Sequence, residues 1–449
     1  MRLPAAFWVI AALFACLCAV YNAKTPYRHA GVLVYQRGHV PDVGAPDERQ
    51  HANYVRHIMD GKGFPVLDPA DPQLEDNYQS HQPPLYYVLT AGWCKITGAD
   101  PTSPDSGFMA RFPNLLIGLL TLFGVFKAVR WGLGDDNVAL AATAFAGLLP
   151  MNIALHAAVT NDPLLYSLCT WCLAFVAKGM GGSQTRGVWV AAGLCAGAAV
   201  LTKTTGIVLL PILLAASFLA YRSPSRGKAL GWMWSCLLAL GVALPWLARN
   251  KAVYGDYFAV SVFNLAFKNS PQASMFIGEL GPVAYWSQWV LWWTSRSLVG
   301  VFGYMDIFIN EVAGKEGSAM FYVLVFALLG IVAAGAVLSL AKSKARKDED
   351  VDEEGPKADP RTFHLLNALM ATLVIVLFIR FNLQYFQGQA RYLLPALLPL
   401  ATVFGLGVVY WSGTKAKFGW VGGTVFLLAL NAFALASLVQ GFEVRLAGA

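Results

Sequence analysis

The sequence predicts an all-α polytopic membrane protein with about eleven transmembrane helices. Of its 449 residues, 57% are hydrophobic and only 13% are charged, whereas average soluble domains carry roughly 25% charged residues. Apolar runs such as 115–126, 138–149 and 321–340 recur along the chain, and a helix needs ~20 mostly apolar residues to cross a bilayer. One soluble core could not absorb so many apolar segments.

The hydropathy pattern divides the chain into apolar segments separated by polar loops. The predicted spans are 4–21, 107–131, 137–157, 162–178, 187–202, 204–221, 229–247, 319–341, 362–380, 393–411 and 419–440. We interpret the first segment as a retained span rather than a cleaved signal peptide, because further spans continue to Gln440.

The basic residues of the short loops indicate how the chain is oriented. With the N-terminus inside, the following all fall on the inner side: Arg2, Lys127, Arg130, Lys178, Arg186, Arg222, Arg226, Lys228, the segment 342–361, Lys415 and Lys417. Basic loops collect on the cytoplasmic side because of the way membrane proteins insert. For the same reason, the net charge of +7 does not predict a nucleic-acid partner.

This orientation defines the predicted domain organisation. Residues 1–318 form an N-terminal catalytic membrane module with two long outer segments, 22–106 and 248–318. Residues 319–449 form the C-terminal transmembrane helices. Within them, the charged segment 342–361 is predicted to be a flexible cytoplasmic linker.

Two stretches of the outer segments are apolar without being long enough to cross the membrane. The apolar stretch that begins at Leu85 fades by Thr97, so we predict a helix that lies in the outer interface. The second outer segment contains a cluster of tryptophans at positions 286, 289, 292 and 293. That cluster fits either an interfacial helix or core packing.

A polar motif in the first outer segment supplies the leading catalytic candidate. Pro46 is followed by Asp47 and Glu48, which reads as the start of a helix. At 3.6 residues per turn, Asp47, His51 and Tyr54 share one face. A carboxylate held at such a position could act as a general base toward a hydroxyl or an amine. The alternative is that these acids only offset the helix dipole.

A second acid, Asp162, lies at the predicted outer mouth between the third and fourth spans. Because Pro163 follows it, Asp162 also fits a helix cap with proline at the first helical position. If Asp162 and Asp47 meet at one face, they indicate a base with a metal-binding or acceptor-binding partner.

Cations at the outer ends of spans form the complementary set. Lys203 lies in a hairpin between two spans, Arg249 closes the seventh span, Arg391 precedes the tenth, and Arg296 lies among the tryptophans. Insertion favours basic residues inside, so cations outside need another explanation. A lipid-linked phosphate is the expected anion at that depth, and snorkelling to lipid headgroups is the alternative.

Other chemical signatures are weak. Five histidines, at positions 29, 39, 51, 57 and 81, crowd the first outer segment, so a zinc site stays open, although His81 has no ligand spacing with another histidine. Cys169 and Cys172 have CxxC spacing inside a span without a companion pair, and we interpret them as buried apolar residues. The sequence has no P-loop and no dinucleotide-binding motif in a supporting context.

Taken together and in order, these motifs resemble a known superfamily. They are the early Asp-Glu pair, the PPLYY run 83–87, the Asn-Asp-Pro run 161–163, the Lys203 hairpin, the WLARN run 246–250 with YGD at 254–256, and the QARYLLP run 389–395. The pattern resembles the GT-C superfamily of integral membrane glycosyltransferases. It is most similar to the bacterial relatives of protein O-mannosyltransferases and lipid A aminoarabinose transferases.

The resemblance implies roles for particular residues. Asp47, with Glu48 adjoining, matches the catalytic base, and Asp162 matches an acid that binds acceptor or metal; His51 joins Asp162 as a candidate for that role. Lys203, Arg249 and Arg391 match donor-phosphate residues by position. The basic residue that heads the PPL motif in some members is Gln82 here, so His81 or another cation must replace it.

The implied activity is transfer of a sugar from a polyprenyl-phosphate donor to an acceptor outside the cytoplasm, by one inverting displacement. The acceptor is a polysaccharide, a lipid or a protein, and membrane lipids surround the enzyme. The resemblance implies no definite cofactor, and a divalent metal ion is one possible ligand. The expected location is a bacterial inner (plasma) membrane, with the active site on the periplasmic or outer face.

Two other classes of membrane protein compete with this prediction. A transporter or flippase for lipid-linked sugars would show paired broken spans and charges at mid-membrane, whereas the ionisable residues here gather at one face. A polysaccharide polymerase or ligase is harder to separate, because it also uses a lipid-linked donor. The enzyme hypothesis requires Asp47 and Lys203 to share one outer cavity that opens sideways into the bilayer.

Overall fold

The computed structural model describes residues 3–29, 44–180, 185–222, 229–310, 314–345 and 360–447, and these are almost entirely helical. Their α-helices are α1 Ala5–Lys24, α2 Glu48–Met59, α3 Leu74–Asn77, α4 Leu85–Thr97, α5 Phe112–Leu133, α6 Asp136–Leu148, α7 Pro150–His156, α8 Asp162–Met180, α9 Arg186–Val200, α10 Leu209–Arg222, α11 Ala229–Tyr254, α12 Val260–Ala266, α13 Ala273–Leu280, α14 Pro282–Ala284, α15 Trp292–Val299, α16 Gly314–Ala345, α17 Pro360–Asn382, α18 Leu397–Ser412 and α19 Ala416–Ala447.

Shorter elements connect these helices. The described residues contain 3₁₀ helices at Tyr78–His81, Gly107–Arg111, Thr204–Val208, Ala390–Tyr392, Leu394–Ala396 and Gly413–Lys415, and a π-helix at Tyr285–Leu291. Strands β1 Val301–Phe302 and β2 Ile307–Phe308 pair antiparallel, with Val301 opposite Phe308.

Within the described residues, eight helical segments are long and apolar enough to cross a membrane, or nine if the bent pair α6 and α7 is one span. One of the eight, Leu394–Ala447, contains both α18 and α19, and α9 is a shorter apolar helix. Every one of the eleven predicted spans therefore coincides with a helix or a helix pair. The polytopic helical fold is confirmed, while the number of eleven crossings stays a prediction.

The outward faces of these helices suit a lipid environment. Leu116 and Leu120 on α5, and Val323 and Leu324 on α16, are each more than half exposed. In water, so much exposed apolar surface would drive association, whereas hydrocarbon solvates it. The exposed surface is therefore consistent with an integral membrane protein.

Small residues let the membrane helices approach one another closely. A Cβ atom at Gly407 of α18 would lie 1.9 Å from the carbonyl oxygen of Val332 on α16, and one at Gly193 of α9 would lie 2.7 Å from that of Ser235 on α11. Backbone-to-backbone contact through small residues is a main way in which helices associate in lipid. These two contacts fix the α16–α18 and α9–α11 pairs.

The first outer segment folds into short helices, as expected from the sequence. The stretch from Leu85 to Thr97 forms the 13-residue helix α4, which is too short to cross a bilayer. It packs against α2 through a stack in which the rings of Tyr54 and Tyr87 lie 3.7 Å apart. The amide of Leu85 donates to the carbonyl of Leu201 at 2.9 Å, which joins this segment to the turn after α9.

The tryptophan cluster divides between the two interpretations left open by the sequence. Trp289 packs in a small core, with its ring 4.8 Å from Phe276 and 5.5 Å from Phe386. Trp292 stays 36% exposed and carries the guanidinium of Arg296 over its ring at 3.8 Å. The predicted linker 342–361 lies largely outside the described residues, since 346–359 are not described and its ends belong to α16 and α17.

Candidate active site

A cavity of about 590 Å³ lies where the outer segments meet the ends of membrane helices. Its wall combines the start of α2, the segment 78–82, the turn before α8, the turn before Thr204–Val208, α12, the end of α17 and the segment 387–395. The lining therefore extends beyond the predicted catalytic module 1–318. Because these elements are distant in sequence, only tertiary packing brings them together.

One side of the cavity is aromatic and apolar. The ring of Phe263 in α12 stacks on that of Phe267, the residue that follows the helix, with their centroids 4.4 Å apart. Phe263 also meets Tyr385 edge-on at 5.8 Å. Leu377 and Phe381 of α17 complete this wall. Such a surface suits a hydrocarbon ligand rather than a hydrated one.

Asp47 stands on the polar side, immediately before α2 begins. Its backbone has φ of 60° and ψ of 2°, a left-handed conformation that is uncommon outside glycine but tolerated by aspartate. The carboxylate makes no capping hydrogen bond to α2. Instead, Oδ1 accepts from the Tyr78 hydroxyl at 2.6 Å, and Oδ2 accepts from Arg391 Nη2 at 2.6 Å. The dipole-capping alternative therefore does not explain its position.

The surroundings of Asp47 keep it ionised. Burial raises the pKa of its carboxyl group, but the charge of Arg391 and the hydrogen bond from Tyr78 outweigh burial and lower the pKa to about 2. The pKa of Tyr78 is raised well above its usual value, first by burial and then by the charge of Asp47. At neutral pH, Asp47 is a carboxylate and Tyr78 is a hydrogen-bond donor.

A second carboxylate–cation pair stands in the same cavity. Lys203 Nζ lies 2.5 Å from Asp162 Oδ1, and the two side chains are 16% and 3% exposed. The other carboxylate oxygen, Asp162 Oδ2, is buried without a hydrogen-bond partner among the described residues. Asp47 and Lys203 thus line one cavity, as the enzyme hypothesis requires.

Asn161 adds a further unused acceptor beside Asp162. Its Nδ2 donates to the carbonyl of Thr202 at 3.0 Å and to Gln82 Oε1 at 3.3 Å, so the amide orientation is fixed by two acceptors. Asn161 Oδ1 is buried without a partner in the described part of the chain. Two adjacent residues therefore offer oxygen acceptors that a ligand with O–H or N–H groups could satisfy.

Both candidate histidines are neutral. Burial, together with the charge of Lys203, lowers the pKa of His51 to about 3 against the opposing effect of Asp47. Burial also lowers the pKa of His81 to about 4. His81 Nδ1 contacts the carbonyl of Tyr78 at 2.8 Å, and its Nε2 lies 3.2 Å from Gln82 Nε2. His81 therefore supplies no positive charge in place of the missing basic residue.

Glu48 lies outside the cavity, contrary to the expectation that it adjoins Asp47 in the active site. Arg111 binds it bidentately, with Nε–Oε1 at 2.6 Å and Nη2–Oε2 at 2.8 Å, and the amide of Val159 donates to Oε1 at 2.8 Å. Both side chains are fully buried. Since consecutive residues point in different directions at a helix start, Asp47 faces the cavity and Glu48 faces the protein interior.

Arg249 is likewise not brought to the cavity. Its Nη2 donates to the carbonyl of Pro65 at 2.7 Å, and its guanidinium lies over the ring of Trp246 at 4.5 Å. Arg249 therefore ties the end of α11 to the first outer segment. Of the three cations expected at the donor phosphate, Lys203 and Arg391 line the cavity.

Sequence reasoning missed several lining residues. They include Tyr78, Asn161 as a separate ligand-facing group, the cation Arg380, Tyr392 and the aromatic side chains of α12 and α17. Tyr392 could have been found from the sequence, because it follows Arg391 directly and aromatic residues often accompany cations at charged sites. In the structure, the guanidinium of Arg391 lies 5.1 Å from the centre of the Tyr392 ring. Tyr78 has no local signal, since its role depends on the distant Asp47.

The donor set of the described residues does not fit a metal ion. No group of three or more histidine, cysteine, aspartate or glutamate side chains among them is placed to hold one. Both oxygens of Asp47 already accept hydrogen bonds, and one oxygen of Asp162 pairs with Lys203. A divalent metal stays a prediction from the resemblance, and no chemical step below depends on it.

At the level of the fold, the resemblance inferred from the sequence is confirmed, because the helices and outer segments are arranged similarly to those of a solved membrane oligosaccharyltransferase. The structure is similar to the Archaeoglobus fulgidus oligosaccharyltransferase in complex with Zn and sulfate, with a TM-score of 0.57 and 15% identity over 96% of this chain and 53% of that chain. The present chain thus spans about half the length of that relative.

More particularly, residues 81–248 match the family model of dolichyl-phosphate-mannose-protein mannosyltransferases. The archaeal oligosaccharyltransferase AglB from Archaeoglobus fulgidus, in complex with an inhibitory peptide and a dolichol-phosphate, gives a TM-score of 0.51 at 13% identity, covering 98% of this chain and 55% of that one. ArnT from Cupriavidus metallidurans bound to undecaprenyl phosphate gives 0.49 at 16% identity, covering 99% and 77%. A search of curated proteins gave no match.

Proposed function

We propose that this protein transfers a sugar from a polyprenyl-phosphate donor to an extracytoplasmic acceptor, with Asp47 as the general base. The observation that carries the proposal is the meeting of Asp47, Arg391 and Lys203 in one cavity. A carboxylate for the incoming nucleophile and two cations for the leaving group are the charges that such a transfer needs.

The two sides of the cavity fit the two parts of the donor. The aromatic wall of α12 and α17, with Phe263, Phe267 and Phe381, would hold the first isoprene units. Arg391 and Lys203 on the polar side would bind the phosphate by charge-assisted hydrogen bonds. The dolichol-phosphate bound by the similar archaeal oligosaccharyltransferase supports a lipid phosphate as ligand.

The reaction conserves charge and protons without a general acid. The acceptor oxygen or nitrogen attacks the anomeric carbon while its proton moves to the Asp47 carboxylate. The bond between that carbon and the phosphate oxygen breaks, and its electron pair stays on the polyprenyl phosphate. The leaving group thereby gains one negative charge, which Arg391 and Lys203 stabilise as it develops. One displacement of this kind inverts the anomeric configuration.

The unused oxygens beside Asp162 suit the hydroxyl groups of the sugar or the acceptor. Asn161 Oδ1 and Asp162 Oδ2 are buried acceptors without partners among the described residues, and an unsatisfied buried acceptor costs roughly 1–3 kcal/mol. Hydroxyl or amine groups of a ligand that donate to these two oxygens would remove this cost. Holding the acceptor there would also fix its distance to the anomeric carbon, which is a major source of rate.

The position of the cavity along the helices supports an active site on the outer face of a plasma membrane. Asp162 is at the start of α8, whereas Lys178 is near its end. At the start of α5, Asn114 donates to the carbonyl of Thr160 at 2.9 Å, next to the cavity, and Arg130 lies in the last turn of that helix. The basic ends are the cytoplasmic ends by the positive-inside rule, so the cavity lies at the opposite face.

The test is a transfer assay with purified protein in lipid nanodiscs and a panel of hexosyl and pentosyl polyprenyl phosphates. The wild type should release polyprenyl phosphate when an acceptor is supplied, while release of a diphosphate would indicate the ligase class instead. Asp47→Asn should lower the rate by about 10²–10⁴, the range for loss of a general base.

A matched control is available in the same outer segment. Asp76→Asn removes the same charge from a partly exposed residue that pairs with Arg49 at 3.2 Å and does not line the cavity. It should retain wild-type transfer. Full activity of the Asp47→Asn protein beside an active Asp76→Asn control would remove Asp47 from the role of base.

A further inference from the structure

Each cation of the proposed phosphate site is already bound to a carboxylate. Arg391 pairs with Asp47 at 2.6 Å, and Lys203 pairs with Asp162 at 2.5 Å. The charges of these two cations are therefore neutralised before any donor arrives, while a third cation that lines the cavity, Arg380 of α17, belongs to neither pair. An incoming phosphate meets no unpaired charge in either pair and has to compete with a carboxylate.

The contact between Arg391 and Asp47 uses only part of the guanidinium. Nη2 donates to Asp47 Oδ2, whereas Nε is buried without a hydrogen-bond partner in the described chain. Nε and Nη2 form the side edge of the guanidinium, which binds phosphate by two parallel hydrogen bonds. Nη2 has two hydrogens and contacts two acceptors, Asp47 Oδ2 and the Tyr392 hydroxyl at 3.2 Å, so a phosphate that takes this edge has to compete with these acceptors.

We infer that the donor phosphate and the Asp47 carboxylate compete for Arg391, so that donor binding releases the catalytic carboxylate. This inference rests on the proposed function and concerns the order of events at the same site. In the resting state, both oxygens of Asp47 are occupied, by Tyr78 and by Arg391. After the exchange, Oδ2 is free to accept a hydrogen bond from the acceptor.

The exchange also gives Asp47 the chemical strength that a base requires. While paired, its carboxyl group has a pKa of about 2 because Arg391 and Tyr78 outweigh burial, and so acidic a group removes protons poorly. Withdrawal of the guanidinium leaves burial as the main influence, and burial raises the pKa of a carboxyl group. The donor would thus bind before the acceptor is activated.

The competition also predicts an effect of Asp47 on phosphate binding, which an experiment can measure separately from transfer. If Asp47 competes with phosphate, then removing its charge must strengthen phosphate binding, because coupling between two ligands of one site is reciprocal. The probe is undecaprenyl phosphate added to the full-length protein in detergent micelles, with undecaprenol as the phosphate-free control. Asp47→Asn should bind undecaprenyl phosphate about tenfold tighter than wild type, within the usual range of such coupling.

Two control variants separate competition from general electrostatics and from altered packing. Asp76→Asn removes one negative charge outside the cavity and should leave the affinity unchanged. Asp306→Asn breaks another largely buried carboxylate–arginine pair, with Arg445 at 2.8 Å, at a residue that does not line the cavity, and it should change the affinity less than twofold. If Asp47→Asn does not fold, Asp162→Asn tests the same competition at Lys203, with the same gain expected.

The outcomes distinguish this inference from the proposed function. Binding of undecaprenyl phosphate to wild type, with no gain or a loss in both asparagine variants of the cavity, overturns the competition but leaves the donor class intact. Absence of binding to wild type and to every variant overturns the donor class itself. A gain equal to that of Asp76→Asn would reduce the effect to general electrostatics and would also overturn the competition.

Discussion

Replacing Glu48 by alanine should destabilise the protein without removing its chemistry. The substitution leaves the guanidinium of Arg111 buried without its counter-ion, at a site where both side chains are fully enclosed. It also removes the acceptor of the Val159 amide. In the early Asp-Glu motif, Asp47 is therefore the proposed catalytic residue, whereas Glu48 stabilises the fold.

The magnitude follows from the burial of the pair. Removing one partner of a buried ion pair costs about 3–5 kcal/mol, because the other charge stays uncompensated. At 1.4 kcal/mol per factor of ten, the middle of that range corresponds to about a thousandfold increase in the ratio of unfolded to folded protein. Because Arg111 also donates to the carbonyl of Thr25 at 2.8 Å, part of its stabilisation survives.

The assay is thermal unfolding of the full chain in detergent, run beside the transfer assay on the folded fraction. Glu48→Ala should unfold at a clearly lower temperature, and the double variant with Arg111→Met should recover part of the loss, as expected when both charges are removed together. Asp47→Asn should lose transfer with a smaller loss of stability, because Asp47 is 21% exposed and the asparagine side-chain oxygen can still accept a hydrogen bond from Arg391. A Glu48→Ala protein of wild-type stability that fails to transfer sugar would refute the division of roles.

Three further predictions concern pH, helix packing and the phosphate site. His51 and His81 have pKa values of about 3 and 4, lowered mainly by burial, against roughly 6.5 in the unfolded chain. Below pH 6.5 the unfolded state therefore binds more protons than the folded state, so the thermal unfolding temperature should be lower at pH 4 than at pH 7. An unfolding temperature that does not change between these pH values would contradict this. Gly407→Val should destabilise the α16–α18 pair by about 1–3 kcal/mol through overpacking against Val332, measured by thermal unfolding, and unchanged stability would contradict the close approach. Lys203→Met should lower kcat/KM for a polyprenyl-phosphate sugar by about tenfold to a thousandfold, the range for one preorganised contact to developing charge, and wild-type kcat/KM would exclude Lys203 from the donor site.

The sequence was sufficient to locate the helices and several lining residues of the cavity. Helix positions follow from local hydropathy, and the predicted apolar segments coincide almost unchanged with helices of the structure. Asp162 and Arg391 were found because polar residues at the ends of apolar spans need a reason to be there, and Asp47 was found because it opens a helix in the first outer segment. All three line the cavity.

What the sequence could not show is which charged groups pair. The local sequence around Glu48 and Arg249 resembles that around Asp47 and Lys203. Outside the cavity, however, Glu48 binds Arg111 and Arg249 binds backbone carbonyls. Partner choice depends on contacts between residues that are far apart in the chain, such as Asp47 with Arg391. The aromatic wall was missed for the same reason, since α12 reads locally as an ordinary short helix.

The central claim is that a lipid phosphate and the Asp47 carboxylate meet in one cavity. The most direct measurement is a cryo-EM map of the full-length protein with undecaprenyl phosphate. The account predicts density for the phosphate within hydrogen-bonding distance of Arg391 and Lys203, with the tail along Phe263 and Phe381 and Asp47 no longer bonded to Arg391. Phosphate density elsewhere on the protein, with this cavity empty at saturating lipid, would contradict it.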